Sequence, residues 1–364
     1  MLRKRSWLPL ATSLFLSVGC AGGAFTKIEK NTELPKELSS DVKEKFEVRD
    51  LNQLKSQGPS VASAKTLSSS APDAHATVVA QVTDAKAPEK VSAKPAEKIS
   101  KKKRKEKLAA ATPAPASVAP FVFPSRRPAK DPIWVGEKLT YEVTYLGIPA
   151  GTFTLEALPY KAVGDRKVYH IMAKAWNSAV FGLMYKLDDY IETYIDFDGF
   201  FSHRFHLHQD ETKQVRDSLE LYDSEKKQSY WWNRWDRKER GYSENKDFYP
   251  MDSFPQDTLS SLYYLRTVAL PPGGTVSFPV MSEGKPLTAY VTVVGREEVD
   301  TAAGVLRTVK VKPEAATRGV LERKGDSYMW LTDDDRRFLV KIEAKVKIGY
   351  VVAELKKIEP GTAP

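Results

Sequence analysis

Three histidines fall within one short stretch, His203-Arg204-Phe205-His206-Leu207-His208. On an extended strand alternate side chains share a face, so His206 and His208 would stand together at a spacing that suits one metal ion. His203 would point the other way, with Phe205 and Leu207. A third ligand would have to come from another strand, with Asp210 or His170 as the candidates, and nothing in the pattern demands either. Two same-face histidines without a carboxylate at helical or hairpin spacing are a weak metal signal. A solvent face beside Arg204 and Asp210 explains them without a metal. Asp333-Asp334-Asp335 would alternate between faces, and Arg336-Arg337 follow at once. That reads as a charged hairpin turn between Trp330-Leu331 and Phe338-Leu339. Asp188-Asp189 and Glu297-Glu298 carry no stronger chemistry. The chain has no Gly-x-Ser-x-Gly elbow, no His-Glu-x-x-His, no phosphate loop and no dinucleotide fingerprint. No catalytic residue, metal or cofactor is therefore assigned.

The most aromatic stretch is Ser229-Tyr230-Trp231-Trp232-Asn233-Arg234-Trp235. Strand parity places Trp231 and Trp235 on one face and Tyr230 and Trp232 on the other. An exposed pair of indoles would suit sugar rings or acyl chains, which makes Trp231 and Trp235 the ligand-binding candidates. Tryptophans filling the core at a sheet end are the plainer alternative.

The elements that must position these residues are mostly strands. Lys138 to Leu146 alternates, with Leu139, Tyr141, Val143 and Tyr145 on one face and Lys138, Thr140, Glu142 and Thr144 on the other. Gly147 to Gly151 breaks the run and 152–158 resumes it. Further strands are predicted over 167–176, 186–196, 201–209, 216–223, 227–235, 274–281, 288–295, 305–312, 326–332 and 337–347, with a solvated hairpin at 236–241. One helix stands out, capped by Asp257, with Leu259, Leu262, Tyr263 and Arg266 at helical spacing and Pro271-Pro272-Gly273-Gly274 ending it. The fold class is all-β with one main helix. An antiparallel curved sheet, a half-barrel or open barrel, should pack on that helix over residues 131–358, leaving 359–364 as a C-terminal tail. The ring volume on offer predicts an apolar cleft of about 300–1,000 Å³ between helix and concave face, or a core that simply fills it.

The N-terminus has a different composition. Arg3, Lys4 and Arg5 precede an apolar run from Trp7 to Val18 that is too short for a membrane-spanning helix. The chain's single cysteine, Cys20, follows after Gly19, so an intramolecular disulfide and a four-cysteine zinc site are excluded. Residues 1–19 resemble a bacterial lipoprotein signal peptide, with Ser17 where leucine is usual. Cys20 is then the lipid attachment site and the membrane a partner; the alternative is an ordinary secretory signal cut elsewhere, with Cys20 incidental. By analogy with lipoprotein sorting in enterobacteria, Ala21 in place of an aspartate directs the product to the outer membrane, facing the periplasm.

Residues 20–130 are rich in Lys, Ala, Pro and Ser and poor in aromatics, which reads as a disordered tether. The exception is Leu34, Leu38, Val42 and Phe46, whose four-residue recurrence would suit a short amphipathic helix within 33–56. Lys101, Lys102, Lys103, Arg104, Lys105 and Lys107 would contact an anionic envelope polymer, or simply stay solvated. The net charge of +9 lies in these leading segments, because residues 131–364 hold more acids than bases. A basic face for nucleic acid is thereby excluded.

GEKLTYEVTYLGIPAG at 136–151, the helix at 257–266, VTVVGREEVDTAAGVLRTVKV at 291–311 and the Met329–Val346 stretch resemble, in order and spacing, the family called domain of unknown function 3108. The resemblance implies an exported protein, often a lipoprotein, with an antiparallel half-barrel or barrel similar to lipoprotein-carrier and lipocalin-like folds. It implies no reaction. Two classes of function follow. One is a lipid-anchored envelope protein whose non-catalytic β domain binds a lipophilic or glycan ligand or a partner protein. The other is a hydrolase of envelope polymers using the acids and histidines of 188–210, or a structural tether between outer membrane and cell wall. Convergence of His206, His208, Asp188 and Asp189 on one cleft would favour the enzyme.

Overall fold

The computed structural model describes residues 28, 33–54, 121–317, 320–321, 326–346 and 348–363. Residues 1–19, read above as signal-like, Cys20 and the basic run 101–107 lie outside the described residues. Within the unit formed by residues 79–123, the rings of Phe121 and Phe123 meet edge to face at 5.2 Å.

Alternation builds most of the rest. In chain order the elements are α1 (Ser40–Phe46), β1 (Val48–Asp50), α2 (Leu51–Leu54), β2 (Val135–Tyr145), β3 (Ile148–Val163), β4 (Arg166–Asn177) and α3 (Ala179–Gly182). Next come β5 (Leu187–Asp196), β6 (Ser202–Glu211), β7 (Gln214–Asp223), β8 (Gln228–Arg237), β9 (Gly241–Pro250) and α4 (Thr258–Leu265). The chain ends with β10 (Thr275–Ser282), β11 (Lys285–Thr301), β12 (Gly304–Thr317), β13 (Val320–Leu321), β14 (Ser327–Thr332), β15 (Leu339–Lys345) and β16 (Tyr350–Thr362).

Two antiparallel meanders make one sheet. β2 to β9 pair in sequence order, as do β10, β11, β12, β14, β15 and β16, and the pairing of β16 with β2 joins the two. The sheet path ends at β9 and β10, so it is an open, curved sheet and not a closed barrel. Its two ends are tied at the β10–β11 turn. The buried Glu220 carboxylate on β7 accepts the backbone N–H groups of Glu283 (2.9 Å) and Gly284 (3.0 Å), and Arg216 pairs with Glu283 at 2.8 Å. Gly284 has φ +69°, and an added Cβ would lie 2.8 Å from the Tyr249 ring, so only glycine lets the turn approach β9.

The predicted faces of β2 are observed, with Leu139, Tyr141 and Val143 buried on the concave side. There they meet Phe153 and Leu155 of β3, Ile171 of β4 and the apolar side of α4. The helix starts where the sequence places it. Asp257 Oδ1 accepts the N–H groups of Leu259 and Ser260 at 2.7 Å, and Ser260 Oγ accepts that of Asp257, a reciprocal cap. The other Asp257 oxygen accepts the hydroxyls of Thr193 and Ser202, which fastens the helix to β5 and β6. The acidic run 333–335 does form a turn. Asp334 accepts the N–H groups of Arg336 and Arg337.

Several boundaries differ from the sequence reading. β9 has no buried face, so its polar residues carry no alternation, and pairing with β8 alone makes it a strand. β16 continues through Thr362, opposite Val135, into the residues read as a tail. A bulge between Leu355 and Lys357 switches its parity and masks the pattern.

The largest difference lies in the stretch 20–130. Its residues 34–50 are docked on the convex face. Leu38 and Phe46 are buried with Val163, Val168, Tyr194, Leu219 and Leu221, and Leu34 and Val42 pack at the margin. β1 pairs with β3, Val48 opposite Val163. Lys45 reaches Asp223 (2.9 Å) and Glu225 (2.6 Å). The recurrence at 34, 38, 42 and 46 is thus an amphipathic segment with a partner face. Residues 124–130 are also part of the domain, since the Arg126 N–H donates to Asp198 O at 2.8 Å and the Arg127 guanidinium lies 3.6 Å over the Phe197 ring.

Candidate functional site

The chemistry-bearing residues divide between the two faces of the sheet. On the convex face, His206 and His208 share one carboxylate. His206 Nε2 and His208 Nδ1 stand 3.0 and 3.1 Å from Asp217 Oδ2, and Arg234 donates to Asp217 Oδ1 at 2.9 Å. Burial pushes the Asp217 carboxyl up, but the hydrogen bonds from His206, His208 and Arg234 outweigh it and hold the group well below the usual carboxylate range. The partner is neither Asp210 nor His170, the two suggested by the sequence. His170 instead stacks on Tyr194 with centroids 4.7 Å apart and meets Glu192, and Asp210 pairs with Lys186. Among the described residues no three His, Cys, Asp or Glu side chains are arranged to hold a metal ion.

The signal for Asp217 was present in the chain. Thr212-Lys213 joins β6 to β7 by a two-residue turn, and that register places Asp217 opposite His208. Asp188 is exposed, whereas Asp189 points to the concave side. His206, His208, Asp188 and Asp189 therefore do not converge on one cleft.

The concave face carries an apolar recess of about 100 Å³. Its walls come from β2 to β6 and from β15 and β16, with Val143, Phe153, Ala173, Ile191, Leu207 and Ala353 among them. No α4 side chain lines it, and it is smaller than the cleft anticipated between helix and sheet. The ring volume counted from the sequence is largely spent in contacts such as Tyr141 on Phe153, with centroids 5.3 Å apart. About 100 Å³ compares with the ~150 Å³ of a cavity that accepts benzene, so the recess takes a few carbons and leaves the rest of a larger ligand on the open groove.

Hydrogen-bonding side chains border this recess. Gln209 Nε2 donates to Asp189 Oδ2 at 3.0 Å and to Glu211 Oε1 at 3.2 Å. Tyr185 (2.6 Å) and Gln214 (2.9 Å) donate to Glu211 Oε2. Burial pushes both carboxyls up, and the charge of Asp189 raises Glu211 further. Beyond Leu207 the same face continues through Ser218, Glu220 and Trp231 to the N-terminus of α4.

Trp231 and Trp235 share this face, as parity requires. The Trp231 indole donates to Ser218 Oγ at 2.9 Å and stands edge-on to Tyr249. Trp235 donates to Gln214 Oε1 at 2.9 Å, and the guanidinium groups of Arg216 and Arg237 lie over its ring at 4.8 and 4.2 Å. Trp231 borders the groove, while cations cover Trp235.

Among solved structures, the chain is similar to a β-barrel-like protein of domain of unknown function 1849 from Brucella abortus, at 9% identity and TM-score 0.40, covering 62% of this chain and 98% of that one. It is also similar to a Bacteroides fragilis protein described as exported with a YmcC-like fold, at 14% identity and TM-score 0.29, covering 63% and 98%. A Parabacteroides distasonis protein described as a lipoprotein aligns at 9% identity and TM-score 0.28, covering 66% and 100%. No curated protein matches the chain. Residues 140–356, which span the open sheet and its capped main helix, match a family model, and the chain belongs to that family, the protein of unknown function DUF3108.

Proposed function

We propose that this protein is a lipid-anchored protein of the bacterial envelope whose β domain holds a lipophilic ligand on its concave face. The observation that carries the ligand reading is the apolar recess, bordered by Gln209 and followed beyond Leu207 on the same face by a groove lined by Arg216, Ser218, Glu220 and Trp231. Such a surface takes the apolar end of an amphiphile at one side and its polar end at the other. Trp231 lies at the polar side, where a ring with an N–H can meet both parts.

The test is fluorescence titration with an acyl probe. Ala173→Phe with Ala353→Phe fills the recess from two walls, and it should weaken probe binding at least tenfold while far-ultraviolet circular dichroism is retained. Equal affinity in the filled variant would refute the recess as the site. Binding unchanged in Trp231→Ala with Trp235→Ala would remove the indoles from it.

The signal-like residues 1–19 and the lone Cys20 support the envelope reading, with the outer membrane favoured by Ala21. Two or more acyl chains are needed for stable attachment, which a lipidated N-terminal cysteine supplies. Cys20→Ser should move the protein from the detergent-extracted membrane fraction to the soluble fraction. Retention in the membrane would contradict attachment at that residue.

A further inference from the structure

We infer that residues 34–50 form an intramolecular strap, so that residues 55–120 connect two parts of one domain in sequence and are not the tether on which that domain hangs. Three kinds of contact hold the strap. Leu38 and Phe46 bury their side chains in the convex face, at 7% and 2% exposure. Val48, Arg49 and Asp50 add a short strand to β3 opposite Val163, Ala162 and Lys161. Polar ties close around them. Arg204 donates to Phe46 O, Arg49 donates to Gly164 O at 2.8 Å, and Lys45 bridges Asp223 and Glu225. Gly164 has φ +57°, and a Cβ there would meet Lys45 O at 2.9 Å, so the β3–β4 turn is shaped to the strap. Strand addition with apolar side chains seated in pockets is a recurring mode of peptide capture. The entropy of bringing two chain segments together grows only with the logarithm of the number of residues between them, so the 66 between positions 54 and 121 are no obstacle.

The consequence is a distance. Fourteen residue steps separate positions 20 and 34, and fully extended they span at most about 50 Å. Measured along the whole of 20–130, the same anchor would have allowed several times that reach. The strap therefore keeps the convex face of β3 to β8 near whatever holds residue 20. This spacing rests on lipid attachment at Cys20, whereas the strap itself does not.

Both parts are testable on the full chain. A site-specific protease sequence inserted after Ser69 allows the loop to be cut without touching strap or domain. After cutting, the two fragments should co-elute at the mass of one chain and separate only in denaturant. In Leu38→Asp with Phe46→Asp they should separate natively, with the circular dichroism of the large fragment unchanged. Native separation of the unsubstituted fragments would overturn the strap. Elution of the uncut chain at twice its mass, abolished by the same two substitutions, would overturn the intramolecular assignment in favour of exchange between copies. For the distance, the lipidated chain is labelled through Lys226→Cys, beside the Lys45 contacts, and placed in neutral phosphatidylcholine vesicles containing an acceptor lipid. Energy transfer should be strong and should fall at least twofold in the Leu38→Asp, Phe46→Asp chain. Transfer unchanged in that variant, when its cut fragments do separate, would overturn the spacing and leave the strap standing.

Discussion

Glu137→Ala should destabilise the domain by about 3–5 kcal/mol, because it strands a buried guanidinium. Glu137 and Arg266 are 1% and 2% exposed at their side chains and meet through two hydrogen bonds, at 2.5 and 2.8 Å. Arg266 also donates to Pro132 O (2.5 Å) and Arg336 O (3.0 Å), so it joins the end of α4 to the lead-in of β2 and to the turn before β15. Arg336 adds a third bond to Glu137 at 2.7 Å while lying over the Trp134 ring. Arginine cannot shed its proton to escape the low dielectric. Without Glu137, the buried Arg266 charge loses its counter-ion while the partly exposed Arg336 cation stays beside it. The pair itself is costly to desolvate, so Glu137→Leu with Arg266→Met should recover most of the loss. Urea midpoints at constant slope measure both variants. A Glu137→Ala loss under about 1 kcal/mol would show that Arg266 finds other compensation.

Stability should peak at about pH 4–5 and decline toward pH 8, the reverse of what paired surface carboxylates produce. Burial pushes the Glu220 carboxyl up to about 7, only partly offset by the N–H groups and Ser229 hydroxyl that bond it, and the Asp189–Glu211 pair is raised as well. For a carboxyl raised by folding, the unfolded chain ionises first. Stability is full below the unfolded value near 4.5 and is lost as pH rises through the folded one. Glu220 alone, fully buried, is worth on the order of 3 kcal/mol across that window. Asp196 and Asp217 act in the other direction. Burial raises both, but Arg166 and His203 hold Asp196 low, and His206, His208 and Arg234 hold Asp217 low. Their stabilisation is complete above about pH 4 and fades as pH falls below it. Thermal melts from pH 3 to 9 should show the peak between the two windows. Glu220→Gln should flatten the fall between pH 5 and 8. A melting temperature still rising up to pH 8 would contradict the buried, raised state of these groups.

The same two clusters show which parts of the molecule were legible in the chain. Alternation along β2 names Leu139, Tyr141 and Val143 as core, because the strand period is a property of the backbone alone. That rule also puts residue 137 on the inner face, where the sequence shows only an acid at the start of a strand. Its partner, Arg266, caps the C-terminus of the helix 129 positions later. Strand parity likewise pairs Trp231 with Trp235 and His206 with His208. It does not say which face looks inward, or that Arg216 and Arg237 come to cover one indole.

What the amino-acid sequence determined by itself is whatever depends on neighbours a few residues apart. The alternating strands other than β9 and β16, the Asp257 cap, the turn at 333–335 and the amphipathic recurrence at 34, 38, 42 and 46 are of this kind, since propensity, capping and periodicity act over one or two turns of chain. Tertiary structure alone decided the rest. Glu137 meets Arg266 because the end of α4 folds back over the start of β2. Contacts between distant rings such as Tyr141 and Phe153 leave a recess of about 100 Å³ on the concave face. The recurrence at 34–46 became a docked strap because a matching convex face exists on β3 to β8, and an apolar stripe folds only against a surface that removes it from water.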